Sequence, residues 1–181
     1  MKNILPLIAV AGLAAPAFSQ SVSASPEPFL HLRASFDLVV HLPYPQAAPL
    51  FGPDEERVWA GEDWNPQFIY PQPAADVEGA VFTISHGKNR AVWVTSLLDL
   101  DARRIQYVYF LPDLMVTVID VSFKPLGPDS TAVNVVYTRT ALTPQGNEHV
   151  TTMQQHDQSA KMEWQQALDE YLAGRKSADR H

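Results

Sequence analysis

The pattern of apolar and polar residues changes period once, near residue 148. Before it, from residue 29, apolar residues alternate with polar ones in short runs. After it they recur every three or four positions. Over 148–173 (EHVTTMQQHDQSAKMEWQQALDEYLA) one stripe holds Met153, His156, Ala160, Trp164, Ala167, Leu168 and Tyr171. The opposite stripe holds Gln155, Gln158, Lys161, Gln165 and Asp169, and no Pro or Gly interrupts the segment. This is the spacing of an amphipathic α-helix, about 39 Å long at 1.5 Å per residue.

The segments before it read as strands. In 29–42, Ala34, Phe36, Leu38, Val40 and Leu42 alternate with Ser35, Asp37, Val39 and His41, the period of a half-buried strand. Residues 43–64 hold Pro45, Pro49 and Pro53, which exclude a long helix. Two short helices joined at Gly52-Pro53 fit instead. The second opens on Asp54, Glu55 and Glu56, where the helix dipole favours acids, and Gly61 ends it. A short strand fits 67–70 between prolines. Segments 79–86 and 90–98 flank Gly87-Lys88-Asn89 as a hairpin. Further strands follow at 103–111, 114–123 and 131–142; the second is apolar on both faces, as for a central strand.

This order predicts an α+β domain over 29–173. A curved antiparallel sheet of six to seven strands wraps around one long C-terminal helix, with two short helices after strand one. Gly174 is expected to end the helix and open a polar tail over 174–181.

Composition narrows the picture. The chain has 181 residues, the size of one domain, with 46% hydrophobic and 18% charged residues, enough for a core. Its formal net charge of −7 argues against a nucleic-acid partner and against docking on anionic lipid by basic charge. It has no cysteine, so disulfides, thiolate metal sites and a Cys nucleophile are excluded. Residues 1–19 (MKNILPLIAVAGLAAPAFS) place one Lys before an apolar run over 4–15, then small residues at Ala17 and Ser19. That is the pattern of a cleaved signal peptide, too short to span a membrane. Cleavage is expected after Ser19, with a flexible lead-in over 20–28 and a location in the bacterial periplasm or outside the cell. No stable membrane insertion is expected after cleavage.

Candidate chemistry is sparse. The six histidines, His31, His41, His86, His149, His156 and His181, include no pair at helical zinc spacing, so no metal site is expected. No Gly-x-Ser-x-Gly elbow and no Gly-rich phosphate loop occurs, and no cofactor is expected. Glu55, Glu56 and Arg57 read either as a charged helix start or as a Glu–Arg pair buried at a cavity mouth. His156 shares a helix face with Met153 and Ala160, which makes it a polar group on an apolar wall or a rim residue. Trp64, Trp93, Tyr107 and Tyr109 are candidate aromatic walls. His86 shares the parity of Phe82 and Ile84, and Asn134 and Thr138 are polar candidates on the last strand. No catalytic residue is assigned.

The element order, the EERVWAGEDWNP stretch (55–66), the GAVF strand (79–82), the VYTRTAL strand within 135–142 and the MEWQQALDEYL helix (162–172) together resemble the SRPBCC superfamily. Its START and polyketide-cyclase members have the helix-grip fold. The resemblance covers nearly all of 29–173. It implies a deep cavity between the long helix and the sheet, and apolar ligands such as lipids, sterols, polyketides or aromatic hormones. It supplies no universal catalytic motif. The expectation is binding of a hydrophobic small molecule or lipid, as a carrier or sensor. The alternative is a cyclase-, aromatase- or hydrolase-like enzyme with His156 or a buried tyrosine as acid or base. A third is a partner-binding module whose cavity is plugged by Trp59, Trp64, Trp93 and Trp164. The oligomeric state is open.

Overall fold

The structure, a computed structural model, describes residues 28–86 and 89–178. The expected leader, the lead-in before residue 28, positions 87–88 of the hairpin turn and residues 179–181 lie outside the described residues.

Seven strands form one antiparallel sheet: β1 (His31–Val40), β2 (Gln67–Tyr70), β3 (Val81–His86), β4 (Asn89–Asp99), β5 (Arg104–Leu111), β6 (Met115–Gly127) and β7 (Ser130–Ala141). The spatial order is β1-β7-β6-β5-β4-β3-β2. Consecutive strands from β2 to β7 are neighbours joined without crossovers, while β1 pairs with β7. Register shifts interrupt the pairing between Phe68 and Tyr70, between Thr95 and Leu97, and between Pro125 and Gly127. Such bulges bend strands and increase twist, which curves the sheet. Alternation sends Phe36, Leu38, Phe82, Ile84, Ile105, Met115, Val121, Val133 and Val135 into one buried core.

The chain crosses from β1 to β2 through tight turns. α1 (Tyr44–Ala47) is a single turn that runs into a 3-10 turn at Ala48–Phe51, and a second 3-10 turn occupies Glu55–Val58. These are the two short helices of the sequence. They stay short because Pro45, Pro49 and Pro53 lack the N–H that a longer helix needs. The second turn is capped from a distance: the Asp76 carboxylate accepts hydrogen bonds from the backbone N–H of Asp54 (2.8 Å) and of Glu55 (3.3 Å). Gly52 makes room for it, since a Cβ there would lie 2.1 Å from Asp76 Oδ2.

α2 (Pro144–Ala178) has 35 residues, longer at both ends than apolar spacing alone predicts. At its start Thr143 Oγ1 accepts from the N–H of Gly146 (3.1 Å), an N-cap bond, and Pro144 follows in the first turn. Gly146 lies inside the helix where only glycine fits, since a Cβ there would sit 2.1 Å from the Leu114 carbonyl oxygen. At the other end the helix continues past Gly174 to Ala178, so the expected stop at Ala173 is corrected. Arg175 lies over the Tyr171 ring at 5.7 Å, one turn back, and supports this last segment.

α2 lies mainly over β1 and β7. Val150, Leu168 and Leu172 bury its two ends. Polar side chains tie it to the edge strand. Asn147 Oδ1 accepts from Leu30 N–H (2.8 Å), ahead of β1. Gln165 serves Val39 as a strand neighbour would: its Oε1 accepts from Val39 N–H (3.0 Å) and its Nε2 donates to Val39 C=O (2.9 Å). The edge of β1 is thereby occupied at that point. Two such bonds contribute about 1–3 kcal/mol. Gln165→Ala is therefore expected to lower unfolding free energy in urea by about 1–3 kcal/mol. Gln166→Ala, which loses only an exposed bond to Glu170, should stay within about 0.5 kcal/mol of the parent.

Candidate functional site

Between its buried ends, α2 stands away from the sheet over a cavity of about 390 Å³. The floor comes from inward-facing residues of four adjacent strands: Trp93 of β4, Tyr107 and Tyr109 of β5, Thr117 and Ile119 of β6, and Tyr137 and Arg139 of β7. The helix supplies Met153, His156, Asp157, Ala160, Glu163 and Trp164. Glu56, Trp59, Ala60, Asp63 and Trp64, from the segment after the 3-10 turns, close one side.

The aromatic walls are held in two groups. Trp93 stacks on Tyr109 (ring centroids 4.6 Å, 23° between planes) and on Phe82 (5.8 Å, 16°). Trp64 meets Trp93 edge-on (5.4 Å, 84°). The other group lies under the C-terminal half of α2, where Trp164 meets Trp59 (5.4 Å) and Phe36 (5.5 Å) edge-on. Main-chain carbonyls fix the rings of the turn segment. Trp59 Nε1 donates to Leu50 C=O (2.6 Å) and Trp64 Nε1 to Pro53 C=O (2.9 Å). Tyr107 donates its hydroxyl to Phe51 C=O (2.5 Å). Trp93 is 8% exposed and its Nε1 has no hydrogen-bond partner.

Two charged features sit in these walls. Arg139, 3% exposed, makes a two-pronged ion pair with Asp157 of α2: Nη1 meets Oδ2, and Nη2 donates to Oδ1 at 2.9 Å. Its guanidinium lies 4.4 Å from the Tyr137 ring centre, and its Nε has no partner. The second feature is Glu56, 7% exposed. Burial, and after it the Asp76 charge, push its carboxyl well above the usual carboxylate range. Burial also raises the phenols of Tyr107, Tyr109 and Tyr137, so these act as neutral hydrogen-bonding groups rather than as bases.

Of the residues singled out from sequence, Trp64, Trp93, Tyr107, Tyr109, Met153, His156 and Ala160 meet at this cavity. His156 is exposed at its rim, which removes the burial that an acid–base role for it rested on. Asn134 and Thr138 do not line it. The cavity-facing parity of β7 is that of Tyr137 and Arg139, and Asn134 instead donates to Asp37 Oδ1 (2.9 Å) beside β1. The side chain of His86 lies outside the described residues. The Glu–Arg pair at the mouth is also corrected. Glu56 is buried, but Arg57 turns away to Asp54 (2.9 Å), Asn65 (3.1 Å) and the Pro66 carbonyl. The four tryptophans are walls around open space rather than a plug. Glu56 enters the sequence reading only as a partner of Arg57, and Arg139 and Asp157 do not enter it as site residues. Among the described residues, no group of three His, Asp or Glu is placed to hold a metal ion, and no helix is long and apolar enough to cross a membrane.

Glu56 links stability to pH. Its folded form holds a proton more tightly than the unfolded chain, so unfolding free energy falls as pH rises above about 4.5. Asp76, also raised by burial, acts in the same direction. Urea melts between pH 5 and pH 8 are expected to show this decline, and Glu56→Gln to flatten it while leaving the part due to Asp76.

No family model matches the chain, and no curated protein matches it. Solved structures do. Norcoclaurine synthase from Thalictrum flavum aligns over 93% of this chain and 98% of its own at 10% identity, with a TM-score of 0.59. An uncharacterized protein from Rhizobium leguminosarum aligns over 78% of this chain and 97% of its own at 11% identity, TM-score 0.55. A Thermobifida fusca protein solved by NMR aligns over 78% and 92% at 15% identity, TM-score 0.54. With its seven antiparallel strands curved around a C-terminal helix, the chain has the helix-grip α+β fold of these structures.

Proposed function

We propose that this protein binds a small apolar molecule or lipid in the cavity under α2, as a carrier or sensor. The observation that carries the reading is the cavity itself: about 390 Å³, walled by aromatic rings that are already held by other rings and by main-chain carbonyls. Protein interiors are normally close-packed, and an empty apolar volume costs stability. Fixed walls around such a volume suit a guest, and the size falls within the roughly 300–1,000 Å³ of small-molecule sites. The leader over 1–19 would place this binding in the periplasm or outside the cell.

A catalytic role is the second reading, and Glu56 favours it. A buried carboxyl raised well above the usual carboxylate range can, when protonated, hand its proton to a bound molecule and, when ionised, take one from it. Norcoclaurine synthase is, by its name, an enzyme on the same fold. Conversion of a bound compound by the parent protein, lost in Glu56→Gln with binding retained, would support this reading over the first.

Ala160 lines the middle of the cavity from the helix side, so a large side chain there fills it. A panel of apolar compounds, including fatty acids, sterols and aromatic ring systems, is to be tested by thermal shift and native mass spectrometry. At least one compound is expected to stabilise the protein by about 2.7 kcal/mol at one hundred times its Kd. Ala160→Trp is expected to abolish that stabilisation without lowering the Tm of the unliganded protein. Equal binding by Ala160→Trp, or no stabilisation by any compound, would refute the cavity reading.

A further inference from the structure

We infer that the cavity takes its ligand as a cation, an aromatic amine whose ammonium group is received by the Glu56 carboxylate. This rests on the cavity reading above and narrows it to one ligand class.

The distribution of charge around the cavity carries the inference. Among the described residues, its lining holds one permanently cationic side chain, Arg139, and Asp157 neutralises it with two bonds while Tyr137 covers its face. The other formally charged lining residues are Glu56, Asp63 and Glu163, all acids. Asp63 and Glu163 stand exposed on the turn segment and on α2. Arg57, the nearest cation in sequence, is turned away to Asp54 and Asn65. A carboxylate ligand would therefore meet acids at the mouth and no free cation inside. An ammonium meets the opposite field.

The walls suit the same class. Trp59, Trp64, Tyr109 and Trp164 border the cavity with rings whose quadrupoles attract cations and against which flat ring systems pack. A buried cation still needs a counter-charge. Glu56 is the buried acid of the lining, and among the described residues it has no ion-pair partner. Its carboxyl is costly to bury, and among the described residues no cation offsets that cost by pairing with it.

Proton balance follows from the groups around it. Facing Glu56 are Asp76 from the loop before β3, Tyr107 of β5 and Tyr137 of β7; Asp54, Glu55 and Arg57 share its turn, and Asp157, His156 and Glu163 border the cavity from α2. Without ligand, burial raises the Glu56 carboxyl well above the usual carboxylate range, so it holds its proton more tightly than an exposed carboxyl does. The amine enters carrying its own proton, Glu56 gives its proton to solvent, and the ion pair forms. Binding therefore releases up to one proton and tightens as pH rises, until Glu56 is ionised without ligand or the free amine loses its own proton.

Three matched probes test this: 2-naphthylmethylamine, 2-naphthylmethanol and 2-naphthoate. They are titrated into the full protein at pH 6, 7 and 8, with calorimetry in two buffers of different ionisation enthalpy. The amine is expected to bind at least tenfold more tightly than the alcohol or the acid at pH 8, with an affinity that rises from pH 6 and with measurable proton release. Glu56→Gln is expected to remove the amine's advantage and its proton release while changing alcohol affinity less than threefold. Should that variant fail to fold, the parent protein decides: an amine that binds no more tightly than the alcohol at any of the three pH values refutes the inference. Naphthoate binding as tightly as the amine, or an undiminished amine preference in Glu56→Gln, overturns the inference and leaves the cavity reading intact. Failure of all three probes to bind overturns the inference, while the cavity reading is decided by the wider panel of fatty acids, sterols and aromatic compounds.

Discussion

The ion pair between Arg139 and Asp157 sets the spacing on which the rest of the site depends. It joins the strand next to the sheet edge with the middle of the long helix; Arg139 is buried and Asp157 is partly buried. Its contribution to stability need not be large: removing two charges from water is costly, and a well-packed apolar pair of the same volume often does as well. Its consequence is geometric. Val150 near one end of α2 and Leu168 and Leu172 near the other pack directly into the core. Between them the long Arg139 side chain of β7 reaches up to the short Asp157 of the helix, and short or flexible residues, Ala160 and Met153, face the gap. The pair acts as a strut where interdigitated apolar side chains would have closed the space.

The aromatic groups hold the opposite wall. Trp93, Tyr109 and Phe82 brace one another on β3 to β5, and Trp59, Trp164 and Phe36 do so beneath the helix. Neither group depends on filling the cavity for its own packing. The turn segment that carries Trp59 and Trp64 is positioned by its hydrogen bonds to main-chain carbonyls and by the Asp76 cap, which needs Gly52 to approach. One consequence is the burial of Glu56 at the start of that turn.

Much of this was legible in the residues. Alternation placed every strand within a few positions, because half-buried strands impose a period of two on nearly every residue. The helix face of Met153, Ala160 and Trp164 followed from the period of 3.6. The ends of α2 were less legible, since Thr143 caps through its side chain and Gly174 meets no structure that would stop the helix. Two site residues obeyed rules already in hand. Arg139 shares the parity of Val133 and Val135, and Asp157 lies four residues after Met153 and three before Ala160; both were passed over because a charge normally marks a solvent face. Asn134 and Thr138 were favoured for their polarity against their parity, and parity prevailed. The burial of Glu56 without Arg57 had no local signal. Its surroundings are non-local: the cap on its turn comes from Asp76, some twenty residues further along, and rings around the cavity come from other strands.

A xenon-pressurised crystal tests the strut and its cavity most directly, because xenon occupies apolar space that water leaves dry. Xenon density is expected between Trp93, Tyr109, Met153 and Ala160, with the Arg139–Asp157 pair intact above Tyr137. Side chains of Met153 and Trp164 collapsed onto β5, with no xenon and the ion pair open to solvent, would contradict it.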